Sequence, residues 1–385
     1  MKIIIAPDSF KGSLSAKQVA SCIQDGLKIS FPQADYEVIP MADGGEGTMQ
    51  ALVDATNGQI FSKKVRNPLG LVTDAKFGIL GDQETAVIEM AQASGLQYVN
   101  TETANPLITS TYGTGELIKA VLDKNVKRII IGLGGSATND GGAGMAQALG
   151  VKLLDIAGNE LEPGGGNLNH LIKIEAQNID PRLKNVEIIL ASDVTNPLTG
   201  PDGASEIFGP QKGATPEMVE ELDHSLHHFA SIVKRDLGAN FENSPGSGAA
   251  GGLGFGLLSF TNAKLKSGVE VVLATSKFRE KAQNADLVFT GEGGTDYQTQ
   301  FGKTPFGVAK AAKEVSPNTP VIILTGNIGK GVEALYASNK IDAIFSTESG
   351  AKDLATAVKD SKHDITQTAE NIGRLIKSLN LSKKG

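Results

Sequence analysis

The chain of 385 residues is long enough for two ordinary domains, and 40 % apolar with 21 % charged residues is the composition of a globular protein in water. A net charge of −7 argues against nucleic acid and against an anionic membrane, since either partner calls for a face rich in Lys and Arg. Cys22 is the single cysteine, which excludes a disulfide framework and a cysteine metal cage.

Residues 2–6 form a β-branched run, KIIIA, too short for a signal-peptide core or a membrane span, so a cytoplasmic protein is expected. The loop PDSFKGSL follows. Ser15 and Gln18 then make a capping box that opens a helix with Val19, Cys22, Ile23, Gly26 and Leu27 on one face. A second strand over 36–41 leads into ADGGEG and a helix from about Thr48. Next the pattern changes: Leu71, Thr73, Ala75, Phe77 and Ile79 alternate along a strand, Gly81-Asp82 turns it, and 85–90 returns antiparallel. Residues 129–131 and 187–190 supply further strands between helices.

Beyond 268 the parallel rhythm resumes. DLVFT at 286–290 runs into GEGGTDYQ, and Thr304-Pro305 reads as the cap and first turn of a helix. Strands follow at 321–325 and 343–346, and a last helix carries Ile365, Ala369, Ile372 and Ile376 on one side, with Lys383-Lys384 as no more than a tail. The reading is an α/β protein of two domains. A flavodoxin- or Rossmann-like doubly wound parallel sheet comes from both chain ends, 1–65 and 269–385, and a second α/β domain is inserted over 66–268.

Glycine is the unusual residue: 46 of 385, about 12 % against a usual ~7 %, gathered in a few clusters that suit ligand-binding turns. The densest is IIIGLGGSATNDGGAGM at 129–145. Gly132, Gly134 and Ala137 satisfy the dinucleotide pattern G-x-G-x-x-A, with Asp155 near the offset of a ribose-binding acid. That pattern needs helix at once, whereas 136–142 are loop formers and the helix is expected only near Ala143. A P-loop ending Gly302-Lys303-Thr304 fails because Tyr297 stands where its first glycine belongs. His224, His227 and His228 fall at i, i+3 and i+4, but Met218, Leu222, Leu226, Phe229 and Val233 form that helix's apolar stripe, which puts the histidines on a solvated flank.

What remains is a set of loops, each after a strand, that would gather at the carboxyl edge of a doubly wound sheet. They carry Asp8, Ser9 and Lys11; Asp43 and Glu46; Ser136, Thr138, Asn139 and Asp140; Asp193 and Asn196; Glu292 and Asp296. Amides and a lysine for phosphate, carboxylates for a metal and for a proton: the set suits phosphoryl transfer from a magnesium nucleotide. These loops hold no histidine for a dehydrogenase.

At these loops the sequence resembles the bacterial glycerate kinase family of glycerate, glucarate and glyoxylate utilisation, nearly end to end. The likeness rests on APDSFKGSLSA, MADGGEGT, EMAQASGL, TSTYGTGELI, GLGGSATNDGGAGM, SDVTNPLTGPDGA, FGPQKGA and TGEGGTDYQTQFGKTPFGVA. It implies transfer of the ATP γ-phosphoryl group to D-glycerate with Mg²⁺, with 2-phosphoglycerate favoured over 3-phosphoglycerate. It also implies the divided flavodoxin-like domain and its insert. Where the family has Arg after GEG this chain has Gly294, so the cation facing phosphate is expected from Lys11, Lys212 or Lys303.

On these motif positions, residue chemistry makes Asp193 the expected general base with Asp8 second, while Lys11 balances phosphate or holds the glycerate carboxylate. Ser9, Asp43, Gly44, Gly45, Glu46, Gly134, Gly135, Ser136, Thr138, Asn139, Asp140, Asn196, Gly291, Glu292 and Lys303 are expected to bind substrate or nucleotide, and Asp296 and Glu292 the metal. The expected partners are D-glycerate and ATP, without nucleic acid or membrane, and a homodimer is compatible. Two alternatives stand beside this reading: an NAD(P)-dependent oxidoreductase of a small hydroxy acid, and a non-catalytic glycerate-binding sensor.

Overall fold

The computed structural model describes residues 1–381; Lys383 and Lys384 lie outside the described residues. The chain divides into two compact units. One gathers Met1–Asp43, Gln50–Asn57 and the chain from Val269 onward, and the other Gly44–Met49 with Gly58–Gly268.

The first unit is built on a five-stranded parallel sheet, in the order Ala343–Ser346, Val321–Ile328, Leu287–Thr295, Lys2–Ile5, Asp35–Val38. Counted by appearance within the unit, the order is 5-4-3-1-2, that of a flavodoxin-like sheet whose topological switch point falls between its first and third strands. Ile3, Ile4 and Ile5 are wholly buried, as an interior strand of a sheet covered on both faces must be. The helix Ala16–Ser30 starts with the capping box: Gln18 N donates to Ser15 Oγ (3.3 Å) and Ser15 N to Gln18 Oε1 (3.0 Å). Its face of Val19, Ile23 and Leu27 packs with Ile365, Ala369 and Ile372 of the last helix, Leu354–Leu381.

The second unit holds a six-stranded mixed sheet ordered Lys264–Lys266, Glu187–Ala191, Arg128–Gly132, Thr85–Glu89, Val72–Ile79, Gln59–Arg66. The first four are parallel; Val72–Ile79 runs antiparallel to Thr85–Glu89, the hairpin expected from the 71–79 alternation, and Gln59–Arg66 adds antiparallel on its far side. The strand Gln59–Arg66, assigned up to residue 65 to the first domain by pattern alone, pairs along its whole length with Val72–Ile79 and so packs in the second unit. The apolar stretch VKLLD at 151–155, which ends at Asp155, does not join the main sheet: Lys152–Leu154 pairs with Lys173–Glu175 in a small separate ribbon. Together these units are the expected α/β organisation, a parallel sheet from both chain ends with an inserted α/β unit.

Gly26 sets how closely the first and last helices approach. A Cβ there would stand 2.3 Å from the Thr366 carbonyl oxygen and 2.8 Å from Glu370 N, both backbone atoms that cannot rotate away. Alanine in a helix interior gains about 1 kcal/mol over glycine, while overpacking of this kind costs about 1–3 kcal/mol. The rigidity of the partners puts the cost at the upper end, so Gly26→Ala should lower the urea midpoint of the first unit. A midpoint at or above wild type would show that the helices have room to part.

Candidate active site

The first unit brings its acids together at the switch point. Asp8 follows the strand Lys2–Ile5, and its amide donates to the Gly291 carbonyl (2.8 Å), carrying the ladder with Leu287–Thr295 past the last paired residue. The turn behind it is closed by Phe10 and Leu14, each amide donating to the other's carbonyl (2.9 and 3.0 Å), with Gly12 at φ +77°. Lys11 stands exposed at that turn, its Nζ 3.5 Å from Asp43 Oδ2.

Asp8 is 5 % exposed. Its Oδ1 accepts from Ser9 N (2.6 Å) and Ser9 Oγ (3.3 Å), and its Oδ2 from Thr304 Oγ1 (2.6 Å). Thr304 was expected to cap its helix; instead Lys303 holds the cap position without a side-chain bond and the Thr304 hydroxyl is given to Asp8. Burial, reinforced by the Asp43 charge, pushes the Asp8 carboxyl up to about 6 against the pull of Thr304, Ser9 and Lys11. Burial draws Lys11 down, but Asp43 and Asp8 outweigh it and its pKa is raised.

Glu292 is the second poised acid. It accepts from Thr299 Oγ1 (2.8 Å), its Oε1 lies 3.9 Å from Lys303 Nζ, and burial pushes it up to about 7. Asp296 caps the turn Tyr297–Gln300 by accepting from Gln298 N (2.8 Å) and sits 3.5 Å from Lys303. Lys303 thus lies between two carboxylates. Among the described residues no cluster of three or more His, Cys, Asp or Glu side chains could hold a metal unaided. Magnesium commonly takes only one or two carboxylates and completes its shell with phosphate and water, so the Glu292–Asp296 pair fits that ion. At the same edge a cavity of about 420 Å³ is walled by Phe10, Lys11, Gly293, Gly326, Leu354 and Val358.

In the second unit the glycine-rich stretch has another physical cause. A Cβ on Gly132 would meet the Gly44 carbonyl at 2.6 Å, and one on Gly134 would meet Gly45 Cα at 2.9 Å. Gly44 itself, at φ +92°, lies against the backbone at Ala191 and Gly268. At Gly132 and Gly134, then, one main chain crosses another, a packing demand for glycine that stands beside any role of the loop amides. The helix starts at Ala143 as expected, and Asp155 accepts from Ala157 N and Asn159 N in a turn, so nothing here builds a dinucleotide fingerprint.

Asp140, expected to touch ligand, is wholly buried and fully engaged. It accepts from Thr111 N (2.8 Å), Thr111 Oγ1 (2.8 Å), Gly142 N (3.0 Å) and Gly144 N (3.2 Å), which makes it a clamp on the loop. Ser136 bonds within its own turn to Thr138 and to the Ala250 carbonyl (3.3 Å). Asn139 donates through Nδ2 to Ser205 Oγ (2.9 Å), while its buried Oδ1 has no partner among the described residues. Asp193 is exposed in the loop after Glu187–Ala191, Asn196 donates to the Asp202 carbonyl (2.9 Å), and Glu46 is exposed. His228 bonds the Leu171 carbonyl and His227 bonds Glu242; the trio holds no metal site. Lys212 is the residue whose setting the sequence reading missed: it is almost completely buried.

Residues 3–377 match the model of the glycerate kinase family. The chain belongs to that family. It is 54 % identical over 377 residues to the glycerate kinase of Bacillus subtilis (strain 168), with 98 % of each chain covered. It is 48 % identical over 372 residues to the glycerate 2-kinase of Escherichia coli (strain K12), with 97 % of each covered. Among solved structures it is similar to a putative glycerate kinase 2 from Salmonella typhimurium LT2, with TM-score 0.91, 47 % identity and 99 % of each chain covered. A Cβ on Gly294 would meet no heavy atom within 4 Å.

The raised pKa of Asp8 has a measurable sign. Its folded value of about 6 exceeds the ordinary 3.8, so the folded chain keeps a proton that the unfolded chain has released. That contribution is complete below about pH 4 and is lost as pH rises through 6. Asp8→Asn removes the titration. Its thermal midpoint should exceed that of wild type at pH 8, by at most about 3 kcal/mol in stability, and converge with it near pH 4. Thermal scans at both pH values check this; a wild type equal or superior at pH 8 contradicts it.

Proposed function

We propose that this chain is an ATP-dependent kinase of D-glycerate that phosphorylates the 2-hydroxyl. The family-long match supports the activity, and the 48 % identical relative named glycerate 2-kinase supports the position. One observation in the structure carries the chemistry: Asp8, a buried carboxyl poised at about 6, stands at the sheet's switch point beside the Lys11 cation. Ligands of such sheets bind at that point, and a general base works best with a pKa near the working pH.

The glycerate hydroxyl oxygen attacks the γ-phosphorus, its proton passes to a carboxylate, and the bond from γ-phosphorus to the bridging oxygen breaks to release ADP. Asp8 and Asp193 are the candidates for that carboxylate, and the poise of Asp8 favours it. Lys11 and Lys303 balance phosphate charge, in place of the side chain that Gly294 lacks. Glu292 and Asp296 would hold Mg²⁺, which neutralises charge on the phosphates. The 420 Å³ cavity has the size and the Phe10, Leu354 and Val358 lining of a nucleotide-base pocket.

A coupled ADP-release assay with D-glycerate tests the activity, and product analysis tests the position. NAD(P) reduction by a hydroxy acid, or glycerate binding without ADP release, would replace the proposal with one of its rivals. In the same assay, replacement of the base by Asn should lower kcat by about 10²–10⁴. We expect that loss in Asp8→Asn and a smaller one in Asp193→Asn; the reverse order assigns the proton to Asp193, and near-normal rates in both remove the mechanism.

A further inference from the structure

A buried ammonium is unfavourable by several kcal/mol unless an anion or several acceptors answer it. Lys212 ends the short turn Pro210–Lys212, is 2 % exposed, and donates from Nζ to the Thr138 carbonyl at 2.7 Å. Among the described residues that is its one acceptor. Asp140 is the charged group that faces it, and acts only through space because its own oxygens are taken by Thr111, Gly142 and Gly144.

A cavity of about 190 Å³ adjoins this ammonium within the second unit, walled by Gly134, Gly135, Ser136, Phe208, Gln211 and Lys212 itself. Among the described residues the amides of Gly134, Gly135 and Ser136 donate to no protein acceptor, and Gly135 adopts φ +78°. Consecutive free amides at a left-handed turn form an anion-binding concavity.

The backbone opposite is bent to make room. Residues 250–252 are all left-handed inside the helix Ala249–Phe260. A Cβ on Gly251 would stand 1.9 Å from the Thr138 carbonyl oxygen and 2.8 Å from Lys212 Nζ. Ala250, at φ +55°, carries a strain of about 1–2 kcal/mol, and it lines the same cavity. Strain of this kind collects at ligand sites.

We propose that this cavity is the subsite for the carboxylate of glycerate, with the Lys212 ammonium and the 134–136 amides as its donors. The inference rests on the kinase reading above. Size favours a small ligand: at about 190 Å³ the cavity lies below the roughly 300–1,000 Å³ of pockets for drug-sized molecules, which suits a three-carbon acid better than a nucleoside triphosphate. Burial pulls Lys212 down to about 7 against the pull of Asp140, and a bound anion restores its charge. Glycerate affinity should therefore fall as pH rises above 7, in step with the protonated fraction.

Lys212→Met keeps the length and removes the charge, a change that a buried ion tolerates well in stability. It should raise KM for D-glycerate about a hundredfold while KM for ATP stays within about threefold. Titration of wild type with D-glycerate gives an independent readout should the variant not fold: Kd should rise at least about tenfold from pH 7 to pH 9. An unchanged glycerate KM in an active variant, a rise in ATP KM instead, or a flat wild-type pH profile each overturns the subsite and leaves the kinase reading standing. Absence of glycerate-dependent ADP release in wild type overturns both.

Discussion

A charged group taken out of water must be bonded, paired or neutralised, and four residues of this chain meet that constraint in different ways. Asp140 is bonded: backbone amides and a threonine hydroxyl saturate it, and it becomes part of the scaffold. Asp8 and Glu292 are only partly bonded, and burial raises both towards neutrality. Among the described residues Lys212 has a single carbonyl acceptor. The groups left incomplete by the protein's own hydrogen bonds are the ones with capacity for a ligand or a proton.

The two units divide that work differently. In the first, the strand order reverses beside Lys2–Ile5, and Asp8, Lys11 and Asp43 stand on loops that leave the strands there while Glu292 lies in the end of the strand Leu287–Thr295. In the second, the close crossing of 44–45 over 132–134 removes side chains from the loop, and what remains exposed to a small molecule is main-chain N–H. A carboxylate-rich rim suits proton and cation handling. An amide-rich concavity suits an anion.

Local signals were readable in the sequence. The KIII run, the Ser15–Gln18 capping box, the 71–79 alternation and the helix start at Ala143 each depend on residues within a few positions, and each stands in the structure. Contacts between distant segments were not. The Gly132–Gly44 crossing joins stretches nearly ninety residues apart, so the glycines read as ligand turns. Thr304 looked like a cap because its true partner, Asp8, is 296 residues away. Lys212 sits between Gln211 and Gly213 in a turn-like FGPQKGA, which offered it as a cation for phosphate but not its burial; that depends on the distant Thr138 carbonyl and the backbone at Gly251 lying against it. The family resemblance, by contrast, covered the chain because its motifs are long.

The pairing of Ile3 with Leu287 bears on how the chain is made. At about 5–20 residues per second, the isoleucine strand leaves the ribosome roughly a quarter of a minute to a minute before its central neighbour exists. The inserted unit, all of whose strands lie between Gln59 and Lys266, is complete in the meantime. A nascent chain with a finished middle and an apolar leading strand paired to Asp35–Val38 on one edge and open on the other is a natural client for a chaperone that shields exposed hydrophobic edges until the neighbour at 287–295 is made.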